Sequence, residues 1–195
     1  MYLPKHFQTE DSQQIREFLQ QHYFGLLLSS APELHYTPLP FLFDWQDNQL
    51  TAHCHMARNN PQLQQLHEQQ VQIVIMGPHA FVAGDCYGEE QAVSTWNYSL
   101  VELKGRAFTL DNEQTLALAR RQESYSAPQM QQSADYQQKL VKGICGVRIE
   151  VSSWLGKLKL SQNKSAAQRQ KVGDYLKSTE QPQSVWQLMQ QLGLY

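Results

Sequence analysis

The sequence predicts a mainly β fold with flanking helices, and three observations lead there. Short apolar, β-branched runs such as FGLLLS at 24–29 and VQIVIM at 71–76 are bounded by turn formers, which marks them as core strands. Residues 34–43 and 49–55 flank Asp44-Trp45-Gln46-Asp47-Asn48, a turn-rich segment, and read as the arms of a β-hairpin. Strands joined by hairpins do not fit a doubly wound parallel sheet. GxGxxG and GxxxxGK[ST] loops are also absent, so the common nucleotide-binding turns are excluded.

The elements follow in order. Residues 11–22 predict a helix, with Asp11 as its cap and Ile15, Phe18 and Leu19 on one face. Strand 24–29 comes next. Pro38 and Pro40 place the 34–43 arm at a sheet edge or bend it. Asn60 before Pro61 is a helix start, predicting a helix over 62–70. Strand 71–76 is expected to break at Gly77-Pro78 and resume over 79–83. A long strand follows at 97–110, helices at 116–124 and 136–141, a strand at 147–151, and closing helices at 166–176 and 185–192. The Gln-rich stretch 129–138 is the expected mobile segment.

A chain of 195 residues predicts one domain, 1–195, with a helical C-terminal extension from about residue 165. Charged residues are 17%, below the roughly 25% of an average domain, and glutamine supplies much of the polarity. A net charge of -2 excludes a polyanion trap. Cys54, Cys86 and Cys145 show no CxxC spacing, which argues against a disulfide framework or zinc finger. Neither a basic-then-apolar leader nor an apolar run of about 20 residues is present. A reducing cytoplasm is the expected compartment.

Three segments carry candidate chemistry. The first is His53-Cys54-His55-Met56-Ala57-Arg58-Asn59-Asn60-Pro61, where a strand hands over to a helix. Helix-start N–H groups and the forked guanidinium of Arg58 form a phosphate cradle. The alternative reading is a surface arginine beside strand-end histidines. Alternation puts His53 and His55 on one face and Cys54 on the other, and no further ligand at zinc spacing follows. The second is Ser94-Thr95-Trp96-Asn97-Tyr98. Trp96 and Tyr98 offer faces for a flat conjugated ligand, and Thr95 and Asn97 offer edge donors; equally, this is a strand start with two core aromatics. The third is 156–164, GKLKLSQNK. From 157 to 177 six basic residues (157, 159, 164, 169, 171, 177) face one acid, Asp174. That charge suits a phosphate, a partner or nucleic acid, or is a solvated helix face. No GxSxG elbow exists, and no catalytic residue is assigned.

At these segments the chain resembles the PaiB-type family of FMN-binding negative transcriptional regulators. The matching pieces are MYLPKHF, LPFLFD near residue 40, HCHMARNNPQ at 53–62, GPHAFV at 77–82, STWNY at 94–98 and LKLSQNKSAAQRQKV at 158–172. The resemblance implies a six-stranded antiparallel FMN-binding split barrel with helices, paired as a homodimer whose subunits together build the flavin groove. It places His55, Arg58 and Asn59 at the phosphate end. Thr95, Trp96, Asn97, Lys159, Ser161 and Gln162 then lie near the flavin. Two departures stand out. Cys86 replaces an aromatic of the family pattern, and Ser94 replaces its proline. Losing one aromatic contact would weaken flavin binding roughly tenfold.

Three functions compete. A flavin reductase would take hydride from NAD(P)H through its cofactor, needing no amino-acid nucleophile. A regulator would act through flavin, a partner or DNA, although no helix-turn-helix is recognisable. A flavin or haem carrier without turnover would use His53, His55 or His79 as axial ligands.

Overall fold

The computed structural model describes residues 1–30, 32–88, 92–129, 133–179 and 185–195. Residues 130–132 of the Gln-rich stretch lie outside the described residues, and α3 (Ala134–Val141) covers its end. The strands are β1 (Gln8–Thr9), β2 (Phe24–Ser29), β3 (His35–Pro40), β4 (Leu42–Gln46), β5 (Gln49–Ala57), β6 (Gln70–Val82), β7 (Thr95–Thr109) and β8 (Ile144–Lys159). The other helices are α1 (Ser12–Gln21), α2 (Asn112–Ser126), α4 (Ala166–Ser178) and α5 (Val185–Gln191). The strands hydrogen-bond in the order β3-β2-β6-β7-β8-β5-β4, with β1 paired to β8. The expected mainly antiparallel β fold is therefore present. Among the described residues it has eight strands rather than six, because the 34–43 segment is two strands and β1 is added.

The chain forms two compact units interleaved along the sequence. One comprises Met1–Phe18, Met76–Val101 and Leu155–Tyr195; the other comprises Leu19–Ile75 and Glu102–Trp154.

In the second unit the strand pairings explain the split of 34–43. β3 pairs antiparallel with β2, placing Pro38 opposite Leu26 and Pro40 opposite Phe24. β3 ends the strand order, as its prolines require of an edge strand. At Phe41 the chain turns inward, its N–H donating to the Tyr23 carbonyl at 2.7 Å, and β4 then pairs with β5. The hairpin turn is only Asp47-Asn48, with φ of 49° and 67°. Two consecutive left-handed residues are what a two-residue turn of this twist needs. Asp44, Trp45 and Gln46 belong to β4 and not to the loop.

β5 alternates cleanly. Leu50, Ala52, Cys54 and Met56 are buried, while His53 and His55 are half-buried on the opposite face, as alternation predicts. On that outer face His53 Nε2 lies 3.2 Å from Asp44 Oδ2. Arg121 Nη2 donates to both Asp44 oxygens at 2.8 and 2.9 Å, tying α2 to β4. Burial lowers the His53 pKa below its ordinary 6.5; Asp44 raises it, and Arg121 and Arg148 lower it further. The folded state thus prefers neutral His53, and the unfolded chain takes up the proton first as pH falls. Stability from this group is complete above about pH 6.5 and declines as pH drops through the lowered value. His22, lowered by burial, acts in the same direction. Urea midpoints from pH 7.5 to 5 should fall, and His53→Gln should flatten the slope. An unchanged slope would remove His53 from this account.

In the first unit α4 and α5 pack on strand ends. Val172 and Leu176 of α4 and Val185 and Met189 of α5 form one buried cluster with Val82 and Leu160. α4 opens with a capping box, the Ser165 hydroxyl and Gln168 amide serving each other's backbone N–H. β6 runs through Gly77-Pro78, where a break was expected. Ser99 donates to the Pro78 carbonyl at 3.1 Å, and a Cβ at Gly77 would meet Ser99 Oγ at 2.5 Å and Phe18 at 2.6 Å. Ser99 and Phe18 pack so close there that only glycine fits, and the strand continues.

Candidate functional site

A pocket among the described residues of the first unit has a volume of about 380 Å³, within the range typical of small-molecule sites. Four segments build it, the first being the N-terminal 3-10 turn Lys5–Phe7, which brings Phe7, and Ala92 and Val93 add further apolar lining just before β7. The turn Gly84–Tyr87 brings Tyr87 and ends on Gly88 at φ 70°. The start of β7 brings Ser94, Thr95 and Asn97, and the end of β8 with its turn into α4 brings Lys159, Ser161, Asn163 and Lys164.

Each side chain is held by a reason that can be named. Asn97 is 1% exposed and Ser161 3%. Asn97 Nδ2 donates to Ser161 Oγ at 3.0 Å, and Ser161 Oγ lies 3.2 Å from Asn97 Oδ1. Ser161 sits at φ 64°, a left-handed conformation uncommon for a residue with a Cβ. Gln162 closes that turn, accepting from Leu160 N–H at 2.7 Å and donating to the Leu158 carbonyl. Lys159 Nζ donates to Thr95 Oγ1 and to the Trp96 carbonyl, both at 2.6 Å. Burial, and then the charge of Lys157, lower its pKa. Lys164 Nζ lies 4.6 Å from the centre of the Tyr87 ring. Ser94, one of the two departures, accepts the Gly84 N–H at 3.0 Å; a proline there has no hydroxyl to do this. Cys86, the other, has its thiol pushed up by burial and then by Asp85.

Of the expected site residues, Thr95, Asn97, Lys159 and Ser161 converge on this pocket, and Gln162 shapes its turn. Trp96 does not line it. Its side chain is 53% exposed on the face opposite Asn97, near Phe81 (5.8 Å between ring centres) and His79 (6.4 Å). Lys164, Tyr87, Ser94 and Asn163 line the pocket without having been assigned to it. Lys164 and Asn163 were within reach, being inside the KLSQNK segment.

His55, Arg58 and Asn59 lie in the second unit. The helix expected over 62–70 is a single 3-10 turn, Pro61–Gln65. Asn60 does cap it, its Oδ1 accepting Gln62 N–H at 3.0 Å, but so short a turn leaves little aligned dipole for an anion. Arg58 is engaged by the chain itself. Nε donates to the Lys142 carbonyl at 3.2 Å, and Nη2 to the Ile144 carbonyl at 2.8 Å and Asn112 Oδ1 at 2.9 Å. His55 Nδ1 pairs with Gln122 Oε1, and Asn59 is exposed.

The basic run 157–177 is likewise used internally. Lys157 Nζ donates to the Tyr2 carbonyl at 3.0 Å. Arg169 reaches the Lys164 carbonyl at 2.7 Å and the Leu194 carbonyl at 3.3 Å. Lys177 lies over Trp186. Among the described residues no three His, Cys, Asp or Glu side chains are placed to hold a metal ion.

The fold is that of the flavin-binding split-barrel proteins. Similar solved structures include the flavocytochrome Anf3 from Azotobacter vinelandii (TM-score 0.60, 13% identity, 80% of this chain and 72% of that one). Another is the FAD and heme binding protein from Mycobacterium smegmatis (TM-score 0.60, 12% identity, 78% and 73%). Residues 1–153 match the family described as "Putative FMN-binding domain", and the chain belongs to it. It is also 29% identical over 191 residues to the PaiB protein of Bacillus subtilis (strain 168), "Protease synthase and sporulation protein PAI 2", covering 93% of this chain and 92% of that one. FMN is therefore the cofactor of this domain. The donor set among the described lining residues fits it, with two ammonium groups, hydroxyls and amides beside the apolar Phe7, Ala92 and Val93.

Proposed function

We propose that the protein is a flavin-dependent oxidoreductase, a flavin reductase that takes electrons from NAD(P)H, working in the cytoplasm as a homodimer. The observation carrying this is the pocket where Thr95, Asn97, Lys159 and Ser161 converge with Lys164. Bound FMN supplies the two-electron chemistry, and the protein's part is binding and orientation. Lys159 is fixed by Thr95 and the Trp96 carbonyl, and the Asn97–Ser161 pair holds the turn that carries Lys164. A nucleophile of the chain's own is not called for: Cys54 is fully buried, with its thiol pushed up by burial and by Cys145, the opposite of an activated cysteine. No described helix is long and apolar enough to cross a membrane.

A second reading is a PaiB-like negative regulator, favoured by the match to PAI 2 along almost the whole chain. Because the basic side chains of 157–177 are largely engaged internally, this reading runs through flavin state or a partner rather than direct base contacts. A gel shift at two salt concentrations separates the two routes, since direct DNA binding weakens steeply with salt. The flavin or haem carrier reading gains no support from this pocket, since His53, His55 and His79 are not among its described lining residues.

The deciding measurement is a titration of purified protein with FMN. A perturbed flavin absorption spectrum is expected, with thermal stabilisation growing with ligand, reaching roughly 2.7 kcal/mol at a hundred times Kd. NADH or NADPH oxidation by the loaded protein should follow. Failure of both binding and oxidation would end the oxidoreductase reading.

A further inference from the structure

We infer that the second unit holds a separate binding site, beneath α2, for a small organic ammonium ion. The site does not rest on the flavin reading, and its residues differ from those of the first-unit pocket.

Two cavities of about 250 and 260 Å³ lie there and share His55, Ala119 and Glu123. Helical periodicity explains how α2 lines them: Leu116, Ala119, Glu123 and Ser126 recur at three- and four-residue steps and lie along one face. Gln122, beside that face, pins α2 to the sheet. Its Nε2 donates to the Pro40 carbonyl at 3.1 Å. Its Oε1 is then the atom that meets His55 Nδ1, so Nδ1 carries the hydrogen. In the neutral ring Nε2 is left as an acceptor, and no described residue pairs with it.

The cavity on the Tyr23 and Tyr125 side selects for positive charge. Glu123 is half-buried, and among the described residues its carboxylate has no hydrogen bond or ion pair. A carboxylate withdrawn from water without a partner is costly, and a bound cation offsets that cost. Tyr23 and Tyr125 meet edge to face with ring centres 5.3 Å apart. The Tyr125 hydroxyl donates to the Gln20 carbonyl at 3.2 Å, which holds its ring in place. Aromatic faces are electronegative and attract a cation. Pro40 and Leu42 add an apolar wall. Carboxylate, ring nitrogen and aromatic faces thus all suit a positively charged N–H donor on an apolar or aromatic body. Arg120 lines only the other cavity, and its Nε donates to Gln137 Oε1 at 2.7 Å. An anion beside His55 would meet Glu123, so the cavity is ill suited to the phosphate that the family resemblance seats there.

The test uses phenethylamine as the cation, with 2-phenylethanol and phenylacetate as neutral and anionic counterparts of the same shape. Binding to the full chain is followed by calorimetry at pH 7.5. Wild type should bind the amine about tenfold tighter than the alcohol, a difference set by charge-assisted contacts, and should not bind the acid. Glu123→Gln should lose about tenfold in amine affinity and leave the alcohol unchanged. Tyr125→Leu should lose roughly threefold to tenfold, and Tyr125→Phe should keep most of the affinity. FMN affinity should be the same in wild type and Glu123→Gln, which separates this site from the flavin site. Absence of amine binding to wild type overturns the inference, as does an amine affinity that Glu123→Gln leaves intact. A loss of FMN affinity in a folded Glu123→Gln also overturns it, by making the cavity part of the flavin site. Failure of FMN to bind wild type, with the amine still bound, ends the flavin reading and leaves this site standing.

Discussion

Replacing Gln62 by leucine should destabilise the protein by about 2–4 kcal/mol, a large part of the 5–15 kcal/mol typical of a domain. Gln62 is 1% exposed, and its amide is fully used. Nε2 donates to the Leu27 carbonyl at 3.2 Å and Ser29 Oγ at 3.0 Å, and Oε1 accepts from Thr37 Oγ1 at 2.6 Å. One side chain thus joins the 3-10 turn after β5 to β2 and β3. Leucine fills similar space but leaves the buried Ser29 hydroxyl without this donor and Thr37 without its acceptor, and each orphaned group costs about 1–3 kcal/mol. The Asn60 cap should survive, since it uses Gln62's backbone N–H. Urea unfolding checks this: a midpoint within error of wild type would show that the amide is dispensable. Gln62→Glu should be no milder, because the site supplies two acceptors to Nε2 and a carboxylate has no donor for them.

The HCHMARNNPQ segment shows where sequence reasoning reached and where it stopped. Strand alternation through His53, Cys54 and His55, and the Asn60 cap before Pro61, follow from local rules and are present. The role of Arg58 was not local. Its acceptors are carbonyls at 142 and 144 and the side chain of Asn112, all more than fifty positions away, and no periodicity reports them. Gln62 was invisible for the same reason: a glutamine in a Gln-rich chain reads as surface polarity until Leu27, Ser29 and Thr37 are seen around it.

Boundaries failed for physical reasons too. β2 was legible to the residue because FGLLLS is a short apolar run between turn formers. β4 was not, because Asp44 and Gln46 look like loop residues; the strand is held by pairing with β5 and by Trp45 packing on Trp154 at 5.2 Å. Pro78 looked like a strand end because it cannot donate to a ladder, yet the Ser99 hydroxyl bonds its carbonyl and the strand continues. At the candidate site, STWNY and KLSQN were legible as motifs. Their side-chain directions were only half legible: Thr95 and Asn97 share the pocket face, and alternation alone sends Trp96 to the other side.

Ser161→Val should destabilise the protein by about 2–4 kcal/mol, whereas Ser161→Gly should stay within about 1 kcal/mol of wild type. Two terms separate the variants. At φ 64° a left-handed backbone costs an L-residue roughly 1–2 kcal/mol, and a β-branched side chain is a genuine outlier there. Valine therefore adds strain, while glycine relieves what serine already bears. Both variants remove the hydroxyl that pairs with the buried Asn97 amide, at about 1–3 kcal/mol for each group left unpaired. For glycine the relief offsets much of that loss; for valine the two losses add. Urea midpoints of the three proteins give the comparison directly. Equal midpoints for valine and glycine would mean that the turn relaxes out of the left-handed region at no cost. The backbone at Ser161 would then not be what holds Lys159 and Lys164 around a common pocket.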